Sequence, residues 1–446
     1  MKKIFLICFI IFPSLFIHAN DDFRIPNRRF ELSLANMDLG LSNDHFIARD
    51  YLHGPFYILG NFGNILSDFS RILLNEEVIT INAGEFLKGF IIDCNATFQP
   101  FSFKFDLNEN WSFGLDIAHT NVSGNISLSE NMLTLNETDQ EILNTGMAVI
   151  VEALAIPVHF QLRNFRIKIK PAVYFPLLYA EPGINYSYRN VYDDNGDAIG
   201  IRLDAGINKQ FYIPVNLTRM EDNSFNDIVQ YAQNNFWNNN NISLGFDLSL
   251  GTEYPLFPWL DLGVDIMHIP FLFRGARMHY YLQLSGNTFL DTSHLDIAEI
   301  IANGGTIPEE MLEKIYGFSE PTFNPGSATK ELYRPFKLLF YANVRPFPFD
   351  KPIVTLIPSA GFSINNLYPD IAAFEGGMSA RVDLANLFIT TLGINYNDRN
   401  WINSLDLAFN FRALELGIGL SMRSPDFVQS WRGAGMGLNL GLTFGW

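Results

Sequence analysis

The clearest pattern in the chain is at its end, where Met436, Leu438, Leu440, Leu442, Phe444 and Trp446 alternate with Gly437, Asn439, Gly441, Thr443 and Gly445. A period of two predicts an extended strand with one apolar face and one small or polar face. The same rule recurs in Phe101/Phe103/Phe105/Leu107, Trp111/Phe113/Leu115/Ile117, Ile242/Leu244/Phe246/Leu248/Leu250 and Leu260/Leu262/Val264/Ile266. It returns late in the chain in Leu405/Leu407/Phe409/Phe411 and Leu414/Leu416/Ile418/Leu420/Met422.

Taken together these runs predict strands over 96–107, 111–120, 148–161, 165–176, 241–250, 258–268, 333–345, 352–364, 376–384, 387–396, 403–411, 414–423 and 435–446. A weaker alternation from Phe30 to Leu41 sets Leu32, Leu34, Asn36 and Asp38 against Ser33, Ala35, Met37 and Leu39, and offers a closing strand. The total is about fourteen, with twelve and sixteen as the alternative counts. Pro157, Pro171 and Pro358 fall inside proposed strands, where proline removes a ladder hydrogen bond.

Connections separate the candidate architectures. Short links at 108–110, 162–164, 251–259, 345–351, 385–386 and 412–413 alternate with long ones at 41–95, 121–147, 178–240 and 269–332 and shorter ones at 365–375, 397–402 and 424–434. Short links therefore gather on one rim and long links on the other. That segregation predicts an all-β fold: a closed antiparallel transmembrane barrel with short periplasmic turns and long external loops. Three stretches read as helix: 62–74, where Phe62, Ile65, Leu66, Phe69, Ile72 and Leu73 share a face; 222–237; and 293–316, with Ser293 as a cap. The segment 41–95 is the candidate plug or lid, the favoured alternative being a helix packed among the external loops.

The amino terminus fits this picture. Lys2 and Lys3 precede fourteen apolar or small residues, Ile4 to Ile17, and then His18-Ala19-Asn20-Asp21-Asp22. This predicts a signal peptide over 1–19 and one barrel domain over 20–446, because the apolar run is short of the roughly 20 residues a membrane helix needs. Cleavage leaves Cys94 alone, so no internal disulfide forms, and 28 basic against 47 acidic residues, a formal charge of −19. Such a balance speaks against nucleic acid as a partner.

Catalytic and metal signatures are missing: no His-Glu-x-x-His, no cysteine pair, no phosphate loop and no Gly-x-Ser-x-Gly. The reading is of a non-enzyme without cofactors, a barrel hydrolase using His119, His268 or His279 being the minor alternative. Charges placed between apolar strand positions are costly in lipid and so belong in the lumen. Lys104, Arg166, Lys168, Lys170, Asp247, Asp261 and Asp265 are the candidate pore-lining residues, with Asp106, Asp116, Asp406 and Glu415 beside them. The basic run on one strand and the acidic residues on the next two predict ion pairs between neighbours, which either brace the wall or set a transverse field for solute.

The last eleven residues resemble the carboxy-terminal signal of outer-membrane barrels, a strand ending in an aromatic residue. That resemblance assigns Leu440, Leu442, Phe444 and Trp446 to recognition by the barrel-assembly machinery. More broadly, the strand count, the amphipathic helix at 62–74 and the aromatic loop residues Phe236-Trp237 and Phe271-Leu272-Phe273 resemble the outer-membrane fatty-acid transporter (FadL-like) family, barrels of about fourteen strands with an amino-terminal plug. No binding residue is carried over from that family, and a general porin fits the same pattern. The functions left open are a passive outer-membrane channel or transporter for small solutes, apolar or amphipathic ones favoured, and a structural or surface-interaction barrel with a blocked lumen.

Overall fold

Among the described residues, alternation along the chain is realised as twenty strands in one sheet closed on itself. The structure, a computed structural model, describes residues 29–43, 90–108, 110–128, 140–180, 184–192, 198–219, 230–231, 234–235, 243–270, 275–291, 293, 314, 316–318, 322–347, 353–365, 372–385, 387–411 and 413–445. The signal peptide over 1–19, the helix at 62–74 and Trp446 lie outside these residues, as do most of the segments 222–237 and 293–316.

In chain order the strands are β1 (Phe30–Asn43), β2 (Phe90–Asn108), β3 (Trp111–Leu128), β4 (Gln140–Ala155), β5 (Val158–Leu162), β6 (Phe165–Ala180), β7 (Ile184–Tyr192) and β8 (Ala198–Ile213). They continue as β9 (Gly245–Phe257), β10 (Leu260–Pro270), β11 (Ala276–Asp291), β12 (Tyr316–Phe318), β13 (Thr322–Leu332), β14 (Phe336–Val344), β15 (Val354–Ile364) and β16 (Ala372–Leu384). The last are β17 (Phe388–Asn397), β18 (Asn400–Asn410), β19 (Leu414–Ser424) and β20 (Met436–Gly445), and a short helix α1 (Phe427–Trp431) precedes β20.

A closed antiparallel ring of fourteen strands results. Its members are β1, β2, β3, the interrupted pair β4/β5, β6, β9, β10 and β14 to β20, and β1 closes on β20 through pairs such as Leu32 with Phe444 and Leu39 with Leu438. The remaining strands were read as loop from sequence, and they extend the wall on the external side. Above Gly245 and Pro270, where β9 and β10 stop, β8 pairs with β6 at Tyr179 and Tyr212, β11 pairs with β8, and β13 pairs with β11. The expected short link at 251–259 is a correction of the same kind: β9 runs on to Phe257, and Glu253 belongs to the ladder.

Proline is accommodated by breaks. Ile156 and Pro157 stand outside β4 and β5, and the Pro157 carbonyl accepts from the Gly114 amide at 2.7 Å. The Pro171 carbonyl accepts from the Ile156 amide at 3.1 Å, so the edge on which Pro171 lacks an N–H faces that interruption.

Three bulges reset the alternation. Ala35, Ala118 and His268 have φ of 54°, 56° and 56°, the left-handed region, and each lies where the register of its strand shifts or skips a residue. The bulge at Ala35 explains the weak pattern of β1. Before it Leu32 and Leu34 face outward; after it Leu39 and Leu41 do, and Asp38 and Ser42 turn inward and are buried.

Outside, the wall carries exposed Phe105, Leu262, Phe340, Leu392, Leu405 and Leu420, an apolar surface of the kind that suits lipid. Aromatic stacks of Trp111 with Phe160 at 4.9 Å and Phe257 with Trp259 at 5.5 Å mark the short-turn rim. Helix α1 lies against the outer face of β18 and β19. There the Asn403 amide, which the period directs outward between Trp401 and Leu405, donates to Ser430 Oγ at 2.9 Å, and Phe427 meets Trp401 edge-on at 4.8 Å.

Two ring glycines create room for aromatic side chains. A β-carbon on Gly263 would lie 2.1 Å from the Tyr341 ring and one on Gly245 2.3 Å from Tyr174, their partners across adjacent strands. Each ring therefore lies flat over its glycine instead of standing into the lumen.

Candidate functional site: the charged lumen

The barrel encloses a cavity of about 780 Å³. Its lining includes nine carboxylates, Glu31, Asp38, Asp116, Glu152, Asp265, Glu375, Asp398, Asp406 and Glu415, and six cationic side chains, Lys104, Lys168, Lys170, Arg334, Lys337 and Arg381. Apolar residues share it, with Ala148 and Ile150 on β4, Leu250 on β9, Met267 on β10 and Leu339 on β14. The inward positions are thus mostly polar by alternation, with a few apolar residues among them.

Charged residues are arranged in tiers. Near the periplasmic rim Arg345 bonds Asp261, Nη1 to Oδ1 at 3.2 Å, while Arg166 pairs with Glu253 on the neighbouring strand and lies 3.9 Å from Asp261. Glu253 also accepts from the Asn343 amide at 2.9 Å. Midway, Lys168 and Asp265 lie level with one another, both in register with Gly251 of the strand between them. In the next tier Lys170 Nζ lies 2.9 Å from Asp116 and 3.1 Å from Glu152, and Arg334 bridges Glu152 and Asp247. Ser102 Oγ completes the site by donating to Asp116 at 2.8 Å. Because the charged partners come from β3, β4, β6, β9 and the β13–β14 junction, this tier ties strands that share no ladder.

Among the residues expected to line the pore, Lys104, Lys168, Lys170 and Asp265 border the cavity. Arg166, Asp247 and Asp261 point to the same side of the wall and are engaged in the pairs above, the two aspartates being buried. The expected direction of pairing is corrected for Lys170. Its partners lie on β3 and β4, not on β9, because the β4/β5 interruption brings Glu152 beside it. Leu440 and Leu442 pair with Ile418 and Leu416 on β19, and Phe444 with Leu414.

Sequence reasoning missed Glu152, Glu253, Arg334, Lys337, Glu375 and Arg423. Glu152 and Glu253 carried a usable signal, Glu152 as the one charge in the apolar run 147–157 and Glu253 as a second acid in period with Asp247 on β9. Arg334 did not: it sits in the Tyr333–Pro335 link between β13 and β14, where no periodicity is defined.

No protein-family model and no curated protein matches the chain. Among solved structures it is similar to the toluene transporter TbuX of Ralstonia pickettii, at 8% identity and a TM-score of 0.40 over 94% of this chain and 89% of that one. It is similar also to the toluene transporter TodX of P. putida, at 9% identity and 0.45 over 94% and 91%. A Pseudomonas aeruginosa FadL homologue follows at 11% and 0.38 over 94% and 90%.

Proposed function

We propose that the protein is a passive outer-membrane channel or transporter for small solutes, with its path through the charged lumen. The observation that supports this reading is the hollow: a ring of fourteen strands is too wide for wall side chains to fill, and about 780 Å³ remains between them. Nine carboxylates against six cations favour cations over anions along that path. The apolar side chains of Ile150, Met267 and Leu339 among these charges favour solutes with one apolar and one polar end. The partners implied are outer-membrane lipid, the assembly machinery and the solute itself.

The test is single-channel conductance of refolded residues 20–446 in a planar bilayer under a salt gradient. Stable steps with a cation-selective reversal potential support the reading. A correctly folded but silent barrel that also fails to pass uncharged solutes into liposomes overturns it in favour of a surface-interaction role.

A further inference from the structure

The link between β17 and β18 is the two-residue turn Asp398-Arg399, with φ of 47° and 67°, both left-handed, as a tight hairpin of this type requires. Although it is on the external side, it does not project away from the barrel. Asn397 and Asp398 border the main lumen on one side and, on the other, a cavity of about 10 Å³ closed by Gly40, Ser42, Asn95, Asn400, Ile402 and Arg423. The turn therefore stands inside the barrel, between the lumen and the inner faces of β19, β1 and β2.

Side chains hold it from both directions. Lys337 Nζ on β14 donates to Asn397 Oδ1 at 3.0 Å and to Asp398 at 3.2 Å, and pairs with Glu375 at 2.8 Å. On the other flank Asn400 accepts from Ser42 Oγ on β1 at 2.8 Å, and its amide donates to Asp93 on β2 at 3.0 Å. The same amide donates to the Asp398 carbonyl at 3.1 Å, and Asp93 accepts in turn from Asn125 on β3. A continuous polar chain thus runs from β14 to β3 by way of the turn, joining strands separated by much of the ring. Hydrogen bonds along a ladder cannot make that connection, and bracing one strand against its neighbour does not need it.

We infer that the Asp398-Arg399 turn is a crossbar that narrows the external mouth of the lumen, and that Lys337, Asp398, Asn400 and Asp93 set the size of solute admitted there. The inference deepens the channel reading and rests on it for its role, while the position of the bar is independent of it. Charge on the bar is balanced locally, Lys337 and Arg399 against Glu375 and Asp398, so it screens by width more than by sign.

The experiment compares the full mature chain with Asp398→Asn, Asn400→Ala and the double variant. Asparagine tolerates the left-handed conformation, so the turn persists while its ion pair to Lys337 is lost. Folding is checked by heat-modifiable mobility in each case. Lys337→Gln, which frees the bar from β14 alone, stands in if the double variant does not fold. Single-channel conductance and the largest polyethylene glycol that enters the lumen are measured. The expected result is a conductance about twofold larger in the double variant and a larger polymer cut-off. If wild type conducts and the folded variants match it in both readings, the crossbar is overturned and the channel reading stands. If wild type is silent and the variants conduct, the crossbar is supported and an open resting channel is not. Silence in all of them, with no uncharged solute passed into liposomes by any, overturns both, and equal passage by all overturns the crossbar alone.

Discussion

Arg334 grips Asp247 with two parallel bonds, Nε to Oδ2 and Nη2 to Oδ1, both at 2.6 Å. The remaining guanidinium nitrogen turns to Glu152, so one residue in a link between strands joins β9 to β4. Both ends of the Arg334–Asp247 pair are buried, with side-chain exposures of 8% and 2%. Removing the cation alone leaves two carboxylates in the wall. Arg334→Ala is therefore expected to cost roughly 3–5 kcal/mol, read as a lowered urea midpoint of the refolded barrel. Adding Asp247→Leu should recover part of the loss; a double variant no better than the single one would show that the pair is not the unit.

Lys168 and Lys170 are two residues apart on one face of β6, and their expected behaviour differs. Lys168 borders the cavity opposite Asp265, whereas Lys170 is committed to Asp116 and Glu152. Lys168→Glu should move the reversal potential towards stronger cation selectivity at a smaller cost in stability, since it meets the one carboxylate Asp265 where Lys170 meets two. Lys170→Glu should chiefly destabilise, by gathering a third carboxylate at that site. Equal shifts in selectivity from both would contradict the distinction.

Tyr341 owes its position to the lack of a side chain at Gly263. An added methyl at 2.1 Å from the ring forces Tyr341 off the wall, so Gly263→Ala should lower stability by about 1–3 kcal/mol. The second variant, Tyr341→Phe in the Gly263→Ala background, should not restore it, because the conflict is with the ring and not the hydroxyl. Thermal unfolding followed by far-ultraviolet circular dichroism provides the comparison.

The alternation Leu440, Leu442, Phe444, Trp446 ends on an aromatic residue. Trp446→Ala is expected to reduce the yield of folded protein in outer-membrane fractions while leaving refolding into detergent intact. Unchanged yield in cells would separate the terminal aromatic residue from recognition by the assembly machinery.

The ring was legible wherever one face meets lipid and the other a polar lumen, because that contrast enforces a strict period of two. It lost clarity where the backbone departs from that period. At Ala35 the bulge exchanges inside and outside within β1, so no single alternation describes that strand. Strands β7, β8, β11 and β13 escaped notice for another reason. They lie beyond the ends of β9 and β10, where the outer face no longer has to be apolar, and stretches such as Arg202-Leu203-Asp204 read like loop. Ion pairing between neighbouring strands was foreseeable for Arg166, since its partner Glu253 shares the ladder. The reach of Lys337 to Asp398 was not, since it depends on a turn folding inward.

Asn403 shows how a polar residue can be kept on the outer face of a membrane strand. Its partner, Ser430, arrives from 27 residues downstream on α1, which covers the strand like a patch laid over a hull. Strand β18 consequently keeps its unbroken pairing with β17 from Asn400 to Phe409, with no bulge spent on hiding the amide. The barrel seen from above is then thickened at one sector by an aromatic buttress of Phe427 and Trp431, and in the plane of a crowded membrane the molecule has a marked side.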